Sequence, residues 1–205
     1  MQALRAGFEV TGLDFSAAAV AELQTQGING FVGTLSKNGL GERIFDVITL
    51  FHVLEHLADP LGELMALLGN LAPAGALIIQ VPNRSSLQAR AFSHNWYGLD
   101  PPRHLIQFTR RGVLLLLERA GLQIRQAFHF SLRDNAPAIV SSLFPAMDPK
   151  ARAVRNRYSD RNADAVNEAM MFGLYFSLVA LATPLALLEA AMRAGGTLTV
   201  QTCKP

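Results

Sequence analysis

The 205-residue chain is half hydrophobic, carries a formal net charge of +2 and has one cysteine, Cys203. Such a composition can bury a core and excludes a disordered chain, while two surplus positive charges give no basis for nucleic acid as a partner. A single thiol excludes an internal disulfide and fits a reducing, cytoplasmic compartment, and Met1 to Gly7 hold no apolar stretch of signal length.

Strand-length apolar runs alternate with helix-period segments, which predicts an α/β fold around a mostly parallel sheet. Phe8 to Leu13 reads as a strand, followed by a helix capped at Ser16 and running to about Gln26, with Gly27 as its stop. Asn29 to Thr34 is a weaker strand, and a polar loop leads through Arg43 to a buried strand, Phe45 to Phe51. The chain turns helical from His52 until Asp59-Pro60. A helix over Leu61 to Leu71 leads into a further buried strand, Ala76 to Val81. Asn95 to Pro102 is rich in turn residues, Thr109 to Ala120 reads as a helix capped by Gly121, and Leu122 to Phe130 is the next strand.

The order then changes. Asp148 to Glu168 is polar and carries Lys150, Arg152, Arg155, Arg157 and Arg161, whereas Met170 to Leu188 holds no charged residue. That stretch is just long enough to cross a bilayer, but Pro184 predicts two shorter helices with a kink or break between them. The pattern equally fits a peripheral membrane contact through residues 150–194 and a helical cap packed on the domain. Gly195-Gly196 introduces a closing strand, Thr197 to Cys203. The expected division is one domain over 1–130 and 196–205, with a partly hydrophobic helical insertion over 131–195.

Asp14 ends the first strand, where open α/β sheets bind ligands. A carboxylate there can accept hydrogen bonds from both hydroxyls of a ribose; by itself it also suits the first turn of a helix. Three longer segments accompany it. Phe45-Asp46-Val47-Ile48-Thr49-Leu50-Phe51-His52-Val53-Leu54-Glu55-His56 resembles the fourth-strand segment of class I, S-adenosylmethionine-dependent methyltransferases. Leu71-Ala72-Pro73-Ala74-Gly75-Ala76-Leu77 resembles their entry into the fifth strand, and Glu9 to Ser16 their second strand with its ribose-binding acid. Trp96 to Leu105 and Phe108-Thr109 are similar to a bacterial subgroup of these enzymes.

The resemblance implies a Rossmann-like sheet with an antiparallel last strand, and S-adenosylmethionine as cofactor. It places Asp14 at the ribose with Phe15 beside the adenosine. Thr34 and Leu35 would lie near the adenine, Phe51 and His52 near the methionine portion, and Asn83 toward the acceptor. The family's first strand and glycine-rich loop would precede Gly7, so the sequence reads as lacking that strand, through truncation or a misplaced start. Methyl transfer, to oxygen of a small or lipid-linked acceptor, is the activity implied. A remnant that keeps the scaffold and binds a partner or membrane is the other reading.

His52, Glu55 and His56 share one face of a helical turn. His-x-x-Glu-His is also the inverted zinc-protease motif, but Pro60 follows too closely for its long helix. Some ubiquinone-biosynthesis and small-RNA methyltransferases resemble this chain here, with Glu-x-x-Glu-His and a later histidine. On that pattern His52, Glu55, His56 and His104 would hold a divalent metal, nitrogen-rich enough to favour zinc. Without a metal, His52 or His104 would serve as general base, and Trp96, Tyr97 and Arg103 would line the acceptor pocket or anchor their loop.

Overall fold

A computed structural model describes residues 2–35, 39–157 and 165–204. Of the basic stretch, Arg161 and the side chains of Arg155 and Arg157 lie outside what is described. The strands form two sheets. In the smaller, β1 (Thr11–Asp14) runs parallel to β2 (Asn29–Val32). A helical turn, α1 (Gln2–Arg5), precedes it, and α2 (Ala17–Thr25) connects the two strands. Ser16 caps α2 by accepting the Ala19 N–H, and Gly27, at φ +75°, takes the left-handed conformation that stops it.

In the larger sheet the order is β3 (Phe45–Phe51), β4 (Leu71–Pro82), β6 (Thr197–Cys203), β5 (Gln123–Phe128). β3 runs parallel to β4, while β6 lies antiparallel between β4 and β5. β4 alternates cleanly, with Leu77, Ile79 and Val81 fully buried. Helices α3 (Pro60–Leu67) and α5 (Arg110–Arg119) add Leu64, Leu67, Val113 and Leu117 to the same core, and β6 adds Leu198 and Val200. Asp59 caps α3 ahead of Pro60 at the first helical position, and Thr109 caps α5.

Phe45–Phe51 departs from the buried strand expected of it. Only Leu50 is buried, and Val47 and Phe51 are about half exposed, at 50% and 52%. The reason is topological: among the described residues β3 pairs only with β4, and β1 only with β2, so each leaves one edge without a ladder partner.

Helix α4 (Leu87–Phe92) follows β4, and β5 leads into α6 (Asn135–Leu143), α7 (Pro149–Arg157) and α8 (Ala165–Ala191) before the chain returns to β6. A second core joins Ala136 and Ile139 of α6 to Val179, Ala182 and Ala186 of α8. The expected break at Pro184 is absent, and α8 is one helix. Proline removes one hydrogen bond to the Ala180 carbonyl, but Ala180 is exposed, so water can take that bond. Val179 and Ala186, on either side, both pack against the α6 cluster and hold the two halves in line. Gly195 and Gly196 admit β6 by close approach. A β-carbon on Gly195 would lie 1.9 Å from the His129 carbonyl oxygen, and one on Gly196 2.3 Å from the Gln88 side chain.

Candidate functional site

Because β3 and β4 are parallel, their carboxyl ends share one edge of the sheet, and the chemistry-bearing residues gather there. β3 ends at His52, whose φ of +55° puts a non-glycine residue in the left-handed region. Its N–H still extends the ladder to the Gln80 carbonyl (2.9 Å). That reversal starts a short 3₁₀ turn, Leu54–His56, in which Leu54 and Glu55 are wholly buried.

The Glu55 backbone carbonyl accepts the N–H groups of Leu105 (2.8 Å) and Ile106 (3.2 Å), which brings the distant 96–106 loop onto the turn and delivers His104. His104 Nδ1 donates to the Gly98 carbonyl (2.9 Å), and His56 Nδ1 donates to the Arg103 carbonyl (2.8 Å). A carbonyl can only accept, so both Nδ1 atoms carry the proton, and in each neutral ring the Nε2 lone pair is left available. One ligand atom from each of Glu55, His56 and His104 lies within 4.8 Å of the others. Glu55 Oε2 has no hydrogen-bond partner, and His104 Nε2 stands 3.9 Å from Glu55 Oε1.

His52 is not part of that group of three. Its Nδ1 donates to Glu55 Oε1 at 3.1 Å, and its Nε2 lies 3.6 Å from Asp134 Oδ1, a charge contact rather than a hydrogen bond. Burial opposes its charge, but the carboxylates of Asp134 and Glu55 outweigh burial and lift its pKa to about 9. His52 is therefore an imidazolium at neutral pH. Asp134 is the participant that sequence reasoning missed. Burial would raise its carboxyl, but His52 and a hydrogen bond from Ser131 hold it low, and Gln80 donates to it as well (3.0 Å).

The neighbouring polar residues have structural engagements. Asn83 is buried, with its amide donating to the Gly195 carbonyl (3.0 Å) and its Oδ1 accepting from Ser85. Trp96 is buried against Gly98, where a β-carbon would meet the indole at 2.4 Å, and Arg103 pairs with Asp100. Burial, with Asp148 and Asp100 nearby, pushes the Tyr97 phenol up to about 12, so it stays neutral.

On the smaller sheet, Asp14 stands at the carboxyl end of β1, and its Oδ1 accepts the Ser16 N–H (2.8 Å). Phe15 is 83% exposed, a flat face free for stacking. Thr34 carries a buried hydroxyl with no partner, and Leu35 packs on the edge of the main core. An exposed aromatic and an orphaned hydroxyl beside a strand-end carboxylate suit a nucleoside: a π-face, a polar contact and a bidentate acceptor.

Residues 2–127 match the family described as a methyltransferase domain. The chain belongs to that family. A ubiquinone biosynthesis O-methyltransferase from Alkalilimnicola ehrlichii is 27% identical over 139 residues, which is 58% of this chain and 56% of that protein. The chain thus spans a little over half the length of this relative. Among solved structures, the 4+2 cyclase SpnF is similar with a TM-score of 0.60 at 16% identity, over 99% of this chain and 70% of its own. A S-adenosylmethionine-dependent methyltransferase from Archaeoglobus fulgidus has a TM-score of 0.58 at 15% identity, over 99% and 79%. These two likenesses establish the Rossmann-like methyltransferase fold. That a cyclase and a methyltransferase share it shows why the chemistry must be argued from the site.

Proposed function

We propose that the domain transfers a methyl group from S-adenosylmethionine to an oxygen of a small or lipid-linked acceptor, aided by a divalent cation on Glu55, His56 and His104. The observation that carries this reading is the paired tautomer: two imidazoles fixed by backbone carbonyls, with their free nitrogens beside a buried, half-satisfied carboxylate. Backbone-fixed rings of this kind are the usual support of metal-ligating histidines. Two nitrogens and one oxygen favour zinc or another first-row transition ion over magnesium and leave positions open for an acceptor. Bound there, such an ion supplies Lewis-acid polarisation that lowers the pKa of an acceptor hydroxyl.

The cofactor would bring its own activated methyl, so the protein's task is alignment. Asp14 would hold the ribose hydroxyls, Phe15 would cover the adenosine, Thr34 and Leu35 would border the adenine, and Phe51 would flank the methionine portion beside His52. His52, whose Nδ1 hydrogen-bonds Glu55 Oε1, would act as a positioning residue that orients Glu55. The unpaired edges of β1 and β3 support the expectation of a further strand, with its glycine-rich loop, completing the cofactor site.

Calorimetric titration with zinc and manganese tests the cation, on this chain and on His104→Ala. Binding to the parent and at least tenfold weaker binding to the variant are expected; equal, negligible binding by both refutes the site. Titration with S-adenosylmethionine, on this chain and on one extended at its N-terminus by a strand and glycine-rich loop, tests the cofactor separately. Binding by neither favours the scaffold remnant.

A further inference from the structure

We propose that Asp134 is a positioning residue for the cation site: it holds the ring of His52 against Glu55, and so keeps the second oxygen of that carboxylate free for the ion. The inference rests on the cation reading above and brings to it a residue that acts only through another. Asp134 stands at the N-cap of α6, where an aspartate is favoured because its carboxylate can accept an N–H of the first turn. It makes no such bond. Its Oδ2 instead accepts from the Ser131 hydroxyl and from Gln80 Nε2 (3.0 Å), which leaves Oδ1 facing His52 Nε2 at 3.6 Å. The mount is stiff. Asn135, wholly buried, donates its amide to the His129 carbonyl (3.0 Å), and its Oδ1 accepts the Ser131 N–H (3.1 Å). Gln80 serves both sides of the pair, because its backbone carbonyl accepts the His52 N–H (2.9 Å) while its side chain holds Asp134.

The ring of His52 is thus gripped at both nitrogens. Nδ1 donates to Glu55 Oε1 (3.1 Å), and Nε2, buried without a hydrogen-bond partner, has the Asp134 carboxylate before it. A buried polar atom left unpaired is costly, and a facing carboxylate offsets that cost by charge. Take Asp134 away, and nothing on that side resists the ring turning off Oε1. The left-handed backbone of His52, φ +55°, is of the kind that persists only where the surroundings hold it, and this two-sided grip does so. The consequence falls on Glu55. Its two oxygens have different fates: Oε1 is pinned by His52, while Oε2 is buried and unpartnered. A carboxylate pinned at one oxygen cannot swivel, which is how hydrogen-bonded supports orient metal-ligating groups. An anchor for the 131–135 loop alone would need only Oδ2, which already meets Ser131 and Gln80; the orientation of Oδ1 toward His52 is what the loop does not require. Because Asp134 opens α6, whose Ala136 and Ile139 pack with α8, the helical insertion reaches the cation site through this one side chain.

Calorimetric titration with zinc tests this on the parent, Asp134→Asn, Asp134→Glu, His52→Gln and the double variant of Asp134→Asn with His52→Gln, each first matched to the parent by circular dichroism. Asparagine keeps the shape and an oxygen for Ser131 and Gln80 but removes the charge facing His52. Asp134→Asn is expected to bind zinc roughly tenfold to a hundredfold more weakly, the usual loss when a support of a ligand is removed, and Asp134→Glu to recover part of it. On the His52→Gln background the same substitution should cost nothing further, because Asp134 acts through His52. Ser131→Ala, which loosens the carboxylate without altering it, should weaken zinc in the same direction by a smaller factor. Parent-like affinity in Asp134→Asn, or in Ser131→Ala should the first not fold, overturns the proposal and leaves the cation reading standing. Losses that add in the double variant overturn it too, making Asp134 an anchor of its loop. A parent that binds no zinc overturns the cation reading itself and this proposal with it.

Discussion

Replacing Glu189 by glutamine is expected to stabilise the protein at neutral pH and to change nothing in acid. The side chain is 3% exposed, and its carboxylate accepts a hydrogen bond from Gln88 Nε2 at 2.8 Å. Burial raises its pKa above the ordinary 4.5, against the smaller opposing effect of Gln88. The folded state thus holds the proton more tightly than the unfolded chain. The sign follows: the contribution to stability is full below about pH 4.5 and is lost as pH rises through the elevated value. A buried ion costs several kcal/mol, and a charge-assisted hydrogen bond returns about 1.5–3 kcal/mol. Glutamine keeps a neutral bond to Gln88 worth about 1 kcal/mol and removes the ion. The net gain for Glu189→Gln at about pH 7.5 is ~1 kcal/mol, a rise in Tm of about 2–4 °C for a chain of this size. Scanning calorimetry from about pH 4 to 8 reads it, with the two melting curves converging at the acid end. A variant that melts below its parent at neutral pH, or an offset that persists unchanged in acid, would refute the reasoning.

Gly195→Ala should destabilise by ~3 kcal/mol or more, or fail to fold, because the clash is with the rigid His129 carbonyl rather than a movable side chain; soluble yield and the urea midpoint report it. Burial, then Arg110 and Arg193, lower the His129 pKa below 6.5. Its contribution is therefore full above about pH 6.5 and is lost as pH falls, so His129→Gln should flatten the fall in urea stability between neutral and mildly acid pH. Asp134→Asn should bring the His52 pKa down from about 9, because one of the two carboxylates holding its charge disappears; proton NMR titration of the imidazole would show no shift if Glu55 alone sets it.

The local punctuation of the fold was legible because its causes are local. Ser16 is a cap whose oxygen meets an N–H three residues on, and Gly27 and Gly121 take left-handed backbone that other residues resist. Thr197–Cys203 was legible too, from its length and the two glycines before it. What escaped was set by partners distant in sequence. Nothing inside Phe45–Phe51 tells whether a strand flanks it on one side or two, and so the exposure of Val47 and Phe51 was not foreseen. Pro184 signals a break by its own chemistry, yet packing on α6 overrides it. At the site, helical spacing grouped His52 with Glu55 and His56; the Nδ1 of His52 does bond Glu55, while its Nε2 faces Asp134. Asp134 itself had no cue beyond preceding a helix.

The placement of β6 has a consequence for the order of assembly on the ribosome. β4 and β5 do not touch in the sheet; each is joined only through β6, which is made after both and after all of α8. The edge of β4 on that side and the whole of β5 must therefore wait, unpaired, while the roughly seventy residues between β5 and β6 emerge. During that interval the leucines of α8 are already in solution beside two open strand edges. The last strand is thus the latch that joins the two halves of the sheet.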